Sequence, residues 1–93
     1  MDDELFTPLQ GQYLTFIHLY TKLTGHPPAE ADMQRYFGVT PPSVHRMVVE
    51  LDRKGLVSRT PGPGRGRSLR VTVDPAQLPP LADQPIKTAV QRD

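Results

Sequence analysis

Apolar positions in the first third of the chain fall at Leu9, Tyr13, Phe16, Ile17, Tyr20 and Leu23, in steps of 4, 3, 1, 3 and 3. That spacing is the stripe of one helix face. Thr7-Pro8-Leu9-Gln10 marks its start, with a cap threonine, a proline at the first helical position and a glutamine three residues after the cap. Gly25 supplies a stop, and His26-Pro27-Pro28 forms a stiff connection. The pattern predicts an amphipathic helix of about four to five turns. Its aromatic side chains are read as core rather than as a ligand cage.

A shorter helix is predicted from Glu30 to Phe37 and closed by Gly38, with Met33, Tyr36 and Phe37 facing inward. Glu30 and Asp32 in its first turn suit the positive end of the helix dipole. After Val39 a second start signal appears at Thr40-Pro41-Pro42. Proline is tolerated there because first-turn N–H groups have no intrahelical partner. Pro42 has no N–H, so the Thr40 hydroxyl is expected to cap the amide of Ser43. The inward positions of this third helix are Val44, Met47, Val48 and Leu51. Arg53-Lys54-Gly55 ends it, with cations at the negative end and a glycine beyond.

The period then changes. Leu56-Val57-Ser58-Arg59 is short and β-prone, while Leu69, Val71 and Val73 alternate with Arg70 and Thr72. Between them, residues 60–68 contain three glycines and two prolines, which suits neither a helix nor a central strand. This stretch reads as the cationic tip of a β-hairpin. From Asp74 onward, Pro75, Pro79, Pro80 and Pro85 accompany no clear period, so an extended or partly disordered tail is expected. The reading is therefore an acidic segment at 1–6, a folded domain at 7–73 and a proline-rich tail at 74–93.

Composition narrows the function. Ninety-three residues suit a single small core. There is no cysteine, which excludes a disulfide framework, a thiolate metal site and a thiol nucleophile. His18, His26 and His45 lack paired-ligand spacing, so no metal and no cofactor is expected. No phosphate loop, paired-carboxylate motif or supported Ser–His arrangement points to an enzyme. No apolar run approaches the ~20 residues of a membrane span, and the acidic start is unlike a secretory signal. A cytoplasmic location is expected.

The net charge of +1 hides an asymmetry. Residues 1–42 sum to −3, residues 43–73 to +5 and the last twenty to −1. A basic middle segment is either a solvated surface or the footprint of a polyanionic partner. The order of elements favours the second. Two helices joined by the tight Gly38-Val39-Thr40 turn make a helix-turn-helix, and the following hairpin with its arginine-rich tip makes it winged. The expected fold is mainly α with a small β-hairpin, a three-helix winged helix-turn-helix.

From Thr7 to Val73, about 70% of the chain, the sequence resembles the N-terminal DNA-binding domain of LexA repressors. The resemblance is carried by TPLQ at the start, TGHPP before the second helix, FGVTPPSVHRMVVELDRKGLV through the third, and RGRSLRV on the wing. It departs at Ala29, where the family has a threonine or serine cap, which is expected to weaken that cap by ~1 kcal/mol. It departs again at Gln34, where the family has a small alanine; either the helix packing opens or the amide faces solvent. The family's recognition sequence is not reproduced residue for residue, so its operator does not carry over. LexA repressors continue into a self-cleaving domain with a serine–lysine dyad. Residues 74–93 contain neither that dyad nor the Ala-Gly scissile bond, so autoproteolysis is not expected of this sequence.

With Val44, Val48 and Leu51 inward, the outer face of the third helix carries Pro42, Ser43, Arg46, Val49, Glu50 and Arg53, with His45 on the flank. In a winged helix-turn-helix this face enters the major groove. The expected base-reading set is Pro42, Ser43, His45, Arg46 and Val49. Arg46 leads it, since a guanidinium fork can bind O6 and N7 of guanine together; its alternative role is an i,i+4 pair with Glu50. The resemblance also places His45 near the DNA, where an imidazole can donate to a phosphate or a base. Thr40, Arg53, Lys54 and Arg59 are assigned to the DNA backbone, and Arg65, Arg67 and Arg70 to the wing. Roughly four to six phosphate contacts imply micromolar or weaker non-specific binding at physiological salt. Specific regulators usually engage two half-sites, so a homodimer on DNA, or a protein partner held through the C-terminal tail, is expected.

The function these features imply is sequence-specific double-stranded DNA binding by a prokaryotic or phage transcriptional regulator. The alternatives are a winged-helix protein-interaction module, or an accessory DNA-binding protein in replication or partition.

Overall fold

The structure, a computed structural model, describes residues 5–61 and 67–82. Three helices come first: α1 (Pro8–Thr24), α2 (Glu30–Phe37) and α3 (Pro41–Arg53). They are followed by strands β1 (Val57–Pro61) and β2 (Arg67–Val71), and by a single 3-10 turn at Pro75–Gln77. The strands pair antiparallel, Val57 opposite Val71 and Pro61 opposite Arg67. This is the expected three-helix winged helix-turn-helix.

Local chemistry fixes each boundary. At the start of α1 the Gln10 N–H donates to the Thr7 hydroxyl at 3.1 Å, and the Gln10 amide oxygen accepts the Thr7 N–H at 3.0 Å. This reciprocal pair satisfies two donors that a helix start otherwise leaves open. Gly25 and Gly38 adopt left-handed conformations, with φ of 88° and 67°, and close α1 and α2. A Cβ is disfavoured there, which is why both stops are glycine. Ala29 offers no capping side chain, yet its N–H donates to the Asp32 carboxylate at 2.9 Å. Half of the capping arrangement thus survives the missing hydroxyl.

The expected Thr40 cap is not formed. Its hydroxyl meets the Ser43 hydroxyl at 3.0 Å, and the Ser43 N–H donates to the Thr40 carbonyl instead. With the two side-chain oxygens satisfying each other, the amide is left to the main chain. Gln34 lies half-buried, between the two outcomes its size suggested.

The core contains Leu14, Ile17, Met33, Val44 and Leu51 without measurable exposure beyond 1%. Here the helical stripe read from α1 needs correction. Leu9 and Leu23 are 54% and 82% exposed, whereas Leu14, absent from that stripe, is fully buried. Leu9 and Leu23 sit in the first and last turns, where α1 overhangs the core. Its buried line runs through Gln10, Tyr13, Leu14 and Ile17, with Phe16 and Tyr20 half-buried beside it. Met47 and Tyr36 are likewise only partly buried at the core edge.

Tyr13 stacks on Phe37 with ring centroids 4.0 Å apart, joining α1 to α2. It is 2% exposed, and burial raises its phenol above the ordinary 10.0. A phenol whose folded value is raised stabilises the fold fully below its unfolded value, and that contribution is lost as pH rises through the folded value. Among the described residues no group hydrogen-bonds its hydroxyl. Tyr13→Phe is therefore expected to change stability at neutral pH by less than about 1 kcal/mol while moving alkaline unfolding to higher pH. Circular dichroism followed upward from about pH 9 checks this. Tyr20, raised by burial and then by the Asp32 carboxylate, titrates in the same alkaline range in both proteins.

Two other boundaries differ from expectation. The strands reach Pro61 and begin again at Arg67, so the ends of the expected 60–68 tip belong to strands, and its remainder, 62–66, lies outside the described residues. Both strands of a two-stranded hairpin are edges, which is where a proline such as Pro61 is accepted. The second difference lies in the segments placed outside the domain. Phe6 and Leu78 both pack against the core. After the 3-10 turn the chain crosses α1 as a strap. The Thr15 hydroxyl donates to the Pro79 carbonyl at 2.8 Å, and the Gln12 amide exchanges bonds with Pro80 and Ala82 at 3.0 and 2.8 Å. The Tyr36 hydroxyl then donates to the Ala82 carbonyl at 3.1 Å, so the strap reaches α2. Prolines lack N–H groups but keep their carbonyls, and α1 supplies donors for them.

Gly11 makes this crossing possible. A Cβ there would lie 2.9 Å from the Phe6 ring and 3.0 Å from the Pro79 ring. Thr15→Val keeps the side-chain bulk and deletes one strap bond. It is expected to lower stability by about 1 kcal/mol, measured by urea unfolding.

Candidate nucleic-acid interface

The outer face of α3 is built by the same periodicity that buries Val44, Val48 and Leu51. Pro42, His45, Arg46 and Arg53 are exposed, Ser43 is half-buried, and Val49 is 36% exposed. The structure thus brings the whole expected base-reading set onto one helix surface. Thr40 lies exposed at its N-terminal end.

The charges on this surface are already partly arranged. Glu50 takes an ion pair from Arg53, one turn on, rather than from Arg46. The i,i+4 alternative for Arg46 is therefore not realised, and among the described residues no group bonds its guanidinium. Asp52 is held by the Nε of Arg59 at 3.2 Å, across from α3 to β1. Lys54 donates to the Gln10 amide oxygen at 2.8 Å. His45 reaches the other way, its Nδ1 lying 3.5 Å from the Glu30 carboxylate in the first turn of α2.

These contacts divide the expected backbone set. Arg53, Lys54 and Arg59 each spend one donor inside the protein, which fixes their direction and leaves further N–H groups over. Arg70 is exposed on β2. Arg65 and the Arg67 side chain lie outside the described residues.

Two shallow concavities flank the helix. One, of about 740 Å³, has Gln10, Ser43, Arg46, Val49 and Arg53 in its walls. The other, of about 610 Å³, lies between the start of α2 and the hairpin, with Ala29, Glu30, His45, Arg59 and Leu69 around it. The sequence assigned neither Gln10 nor Glu30 to this region. Their partners lie 44 and 15 residues away, and no local pattern reports such contacts.

Among the described residues no group of three or more His, Cys, Asp or Glu side chains is placed to hold a metal ion, and no helix is long and apolar enough to cross a membrane.

Several LexA repressors are similar to this chain in sequence. A LexA repressor from Oleidesulfovibrio alaskensis is 41% identical over 69 residues, covering 74% of this chain and 32% of that protein. One from Cupriavidus taiwanensis is 33% identical over 86 residues, covering 91% and 40%. One from Thermosipho melanesiensis is 35% identical over 63 residues, covering 68% and 32%. The chain thus spans between about a third and two-fifths of the length of these curated relatives. Residues 3–66, which hold all three helices and the first strand, match the LexA DNA binding domain. With that match over more than half its length, the chain belongs to the LexA DNA-binding domain family.

Proposed function

We propose that this chain binds double-stranded DNA sequence-specifically and acts as a transcriptional regulator of the LexA repressor kind. α3 enters the major groove, and the hairpin lies along the backbone or the adjacent minor groove. The observation that carries this reading is the outer face of α3. It presents Arg46 with no partner among the described residues, while the carboxylates Glu50 and Asp52 on the same helix are each occupied by another arginine. A free, planar guanidinium at the middle of a groove-sized helix face suits guanine readout.

Ser43, His45, Val49 and Pro42 complete the base-facing set, and Thr40, Arg53, Lys54, Arg59, Arg65, Arg67 and Arg70 contact phosphates or the groove edge. One module of this size buries limited surface on DNA, so two copies on adjacent half-sites, or one copy beside a protein partner, complete the complex.

The test is binding to a pool of random-sequence duplexes at two salt concentrations, with the bound fraction sequenced. An enriched motif is the expected result, and two-fold symmetry in it gives the half-site spacing. Salt-sensitive binding without enrichment removes the base-reading assignment. No binding at low salt removes DNA and leaves a protein-interaction module.

A further inference from the structure

The α1 capping glutamine has a second partner that helix capping does not require. Gln10 is 8% exposed, and its amide oxygen accepts both the Thr7 N–H at 3.0 Å and the Lys54 ammonium at 2.8 Å. Lys54 follows the last residue of α3, so this one oxygen ties the end of the candidate recognition helix to the start of α1.

We infer that Gln10 is a positioning residue for DNA binding, holding the Lys54 ammonium at the end of α3, with its charge uncancelled, to take one backbone phosphate. The inference rests on the DNA-binding reading proposed above.

Three observations support it. Glutamate serves the third position of such a capping box as well as glutamine does, and its charge suits the positive end of the helix. At 2.8 Å from Lys54, however, a glutamate would form an ion pair and neutralise the ammonium. The neutral amide orients the lysine without that loss.

The carboxylates at this end of α3 are also engaged elsewhere, Glu50 with Arg53 and Asp52 with Arg59. Among the described residues none forms an ion pair with Lys54, which is exposed and uses one of its three N–H donors on Gln10. Finally, Gln10 shares the shallow concavity that holds Ser43, Arg46 and Arg53. The anchored charge therefore borders the same surface as the base-reading candidate, where a duplex seated on α3 presents its sugar–phosphate chain.

The test compares the parent chain, Gln10→Glu, Lys54→Met and the double variant on a duplex enriched from the random pool. Affinity is measured across a salt series and folding by thermal unfolding. Each phosphate contact contributes about 0.9 to the slope of log affinity against log salt. Gln10→Glu is expected to reduce that slope by about 0.9, as Lys54→Met does, and the double variant to reduce it no further. The melting temperature of Gln10→Glu alone is expected to equal or exceed that of the parent, since the cap is kept and an ion pair with Lys54 is gained.

An unchanged slope in Gln10→Glu, with the loss confined to Lys54→Met, overturns the role of Gln10. So does a slope change accompanied by a lower melting temperature. A parent chain without salt-dependent duplex binding overturns the DNA-binding reading itself, and this inference with it.

Discussion

Leu14→Ala is expected to destabilise the fold by about 2–5 kcal/mol, the range for emptying a fully buried leucine site. Leu14 has no exposed surface, so the loss combines transfer of the side chain from an apolar setting with a cavity its neighbours only partly fill. Helix propensity does not contribute, because alanine is the better helix former. A domain of this size has roughly 5–15 kcal/mol of total stability at most, and each kcal/mol shifts its melting temperature by about 4–8 °C. A fall of at least about 8 °C is therefore expected. Leu9→Ala is the control: the same chemical change on the same helix, at an exposed site, is expected to stay within about 0.5 kcal/mol. A larger loss at Leu9 than at Leu14 would mean that the buried face of α1 is the one read from sequence and not the one described.

Arg46→Ala acts on binding and leaves the fold alone, because the side chain is exposed and bonds no described residue. On its preferred duplex the variant is expected to lose about 1–3 kcal/mol, roughly five- to 150-fold in affinity. On random duplex it loses only what one fewer cation contributes to the electrostatic term. Under the proposed reading Arg65→Ala is expected to weaken both duplexes alike, since a wing arginine would meet backbone rather than base edges. Competition binding on the two duplexes separates these patterns. Equal loss for Arg46→Ala on both would sink its assignment to base readout.

Boundaries were the most legible part of the sequence because they rest on short-range chemistry. Thr7, Pro8, Gln10, Gly25 and Gly38 each act on atoms within a few residues, and the spans of α1 and α2 follow directly from them. The outer face of α3 was legible for a similar reason: a strong period buries Val44, Val48 and Leu51 and exposes what lies between.

What escaped was set by the tertiary arrangement. α1 packs against α2 on one side and the hairpin on another, so its buried arc is turned from the aromatic stripe and takes in Leu14. The docked strap was invisible because its prolines carry no period, and the donors that hold it, Gln12 and Thr15, lie more than sixty residues earlier. The Thr40 cap failed on a choice between two hydroxyl partners that spacing alone does not rank.

Because Phe6 and Pro79 press on the same glycine, the two ends of the folded unit are neighbours. The described part, from residue 5 to 82, is close to a closed ring, and its order of elements is therefore separable from its shape. A short link joining the end of the strap to residue 5, with a new start cut at the exposed Gly25–His26 turn, gives a circular permutant that retains α1, α2, α3 and the hairpin. Such a permutant displaces the point of attachment for any fused domain from the strap to the far end of α1. It offers a way to change how a tethered neighbour is carried without altering a residue of the α3 surface.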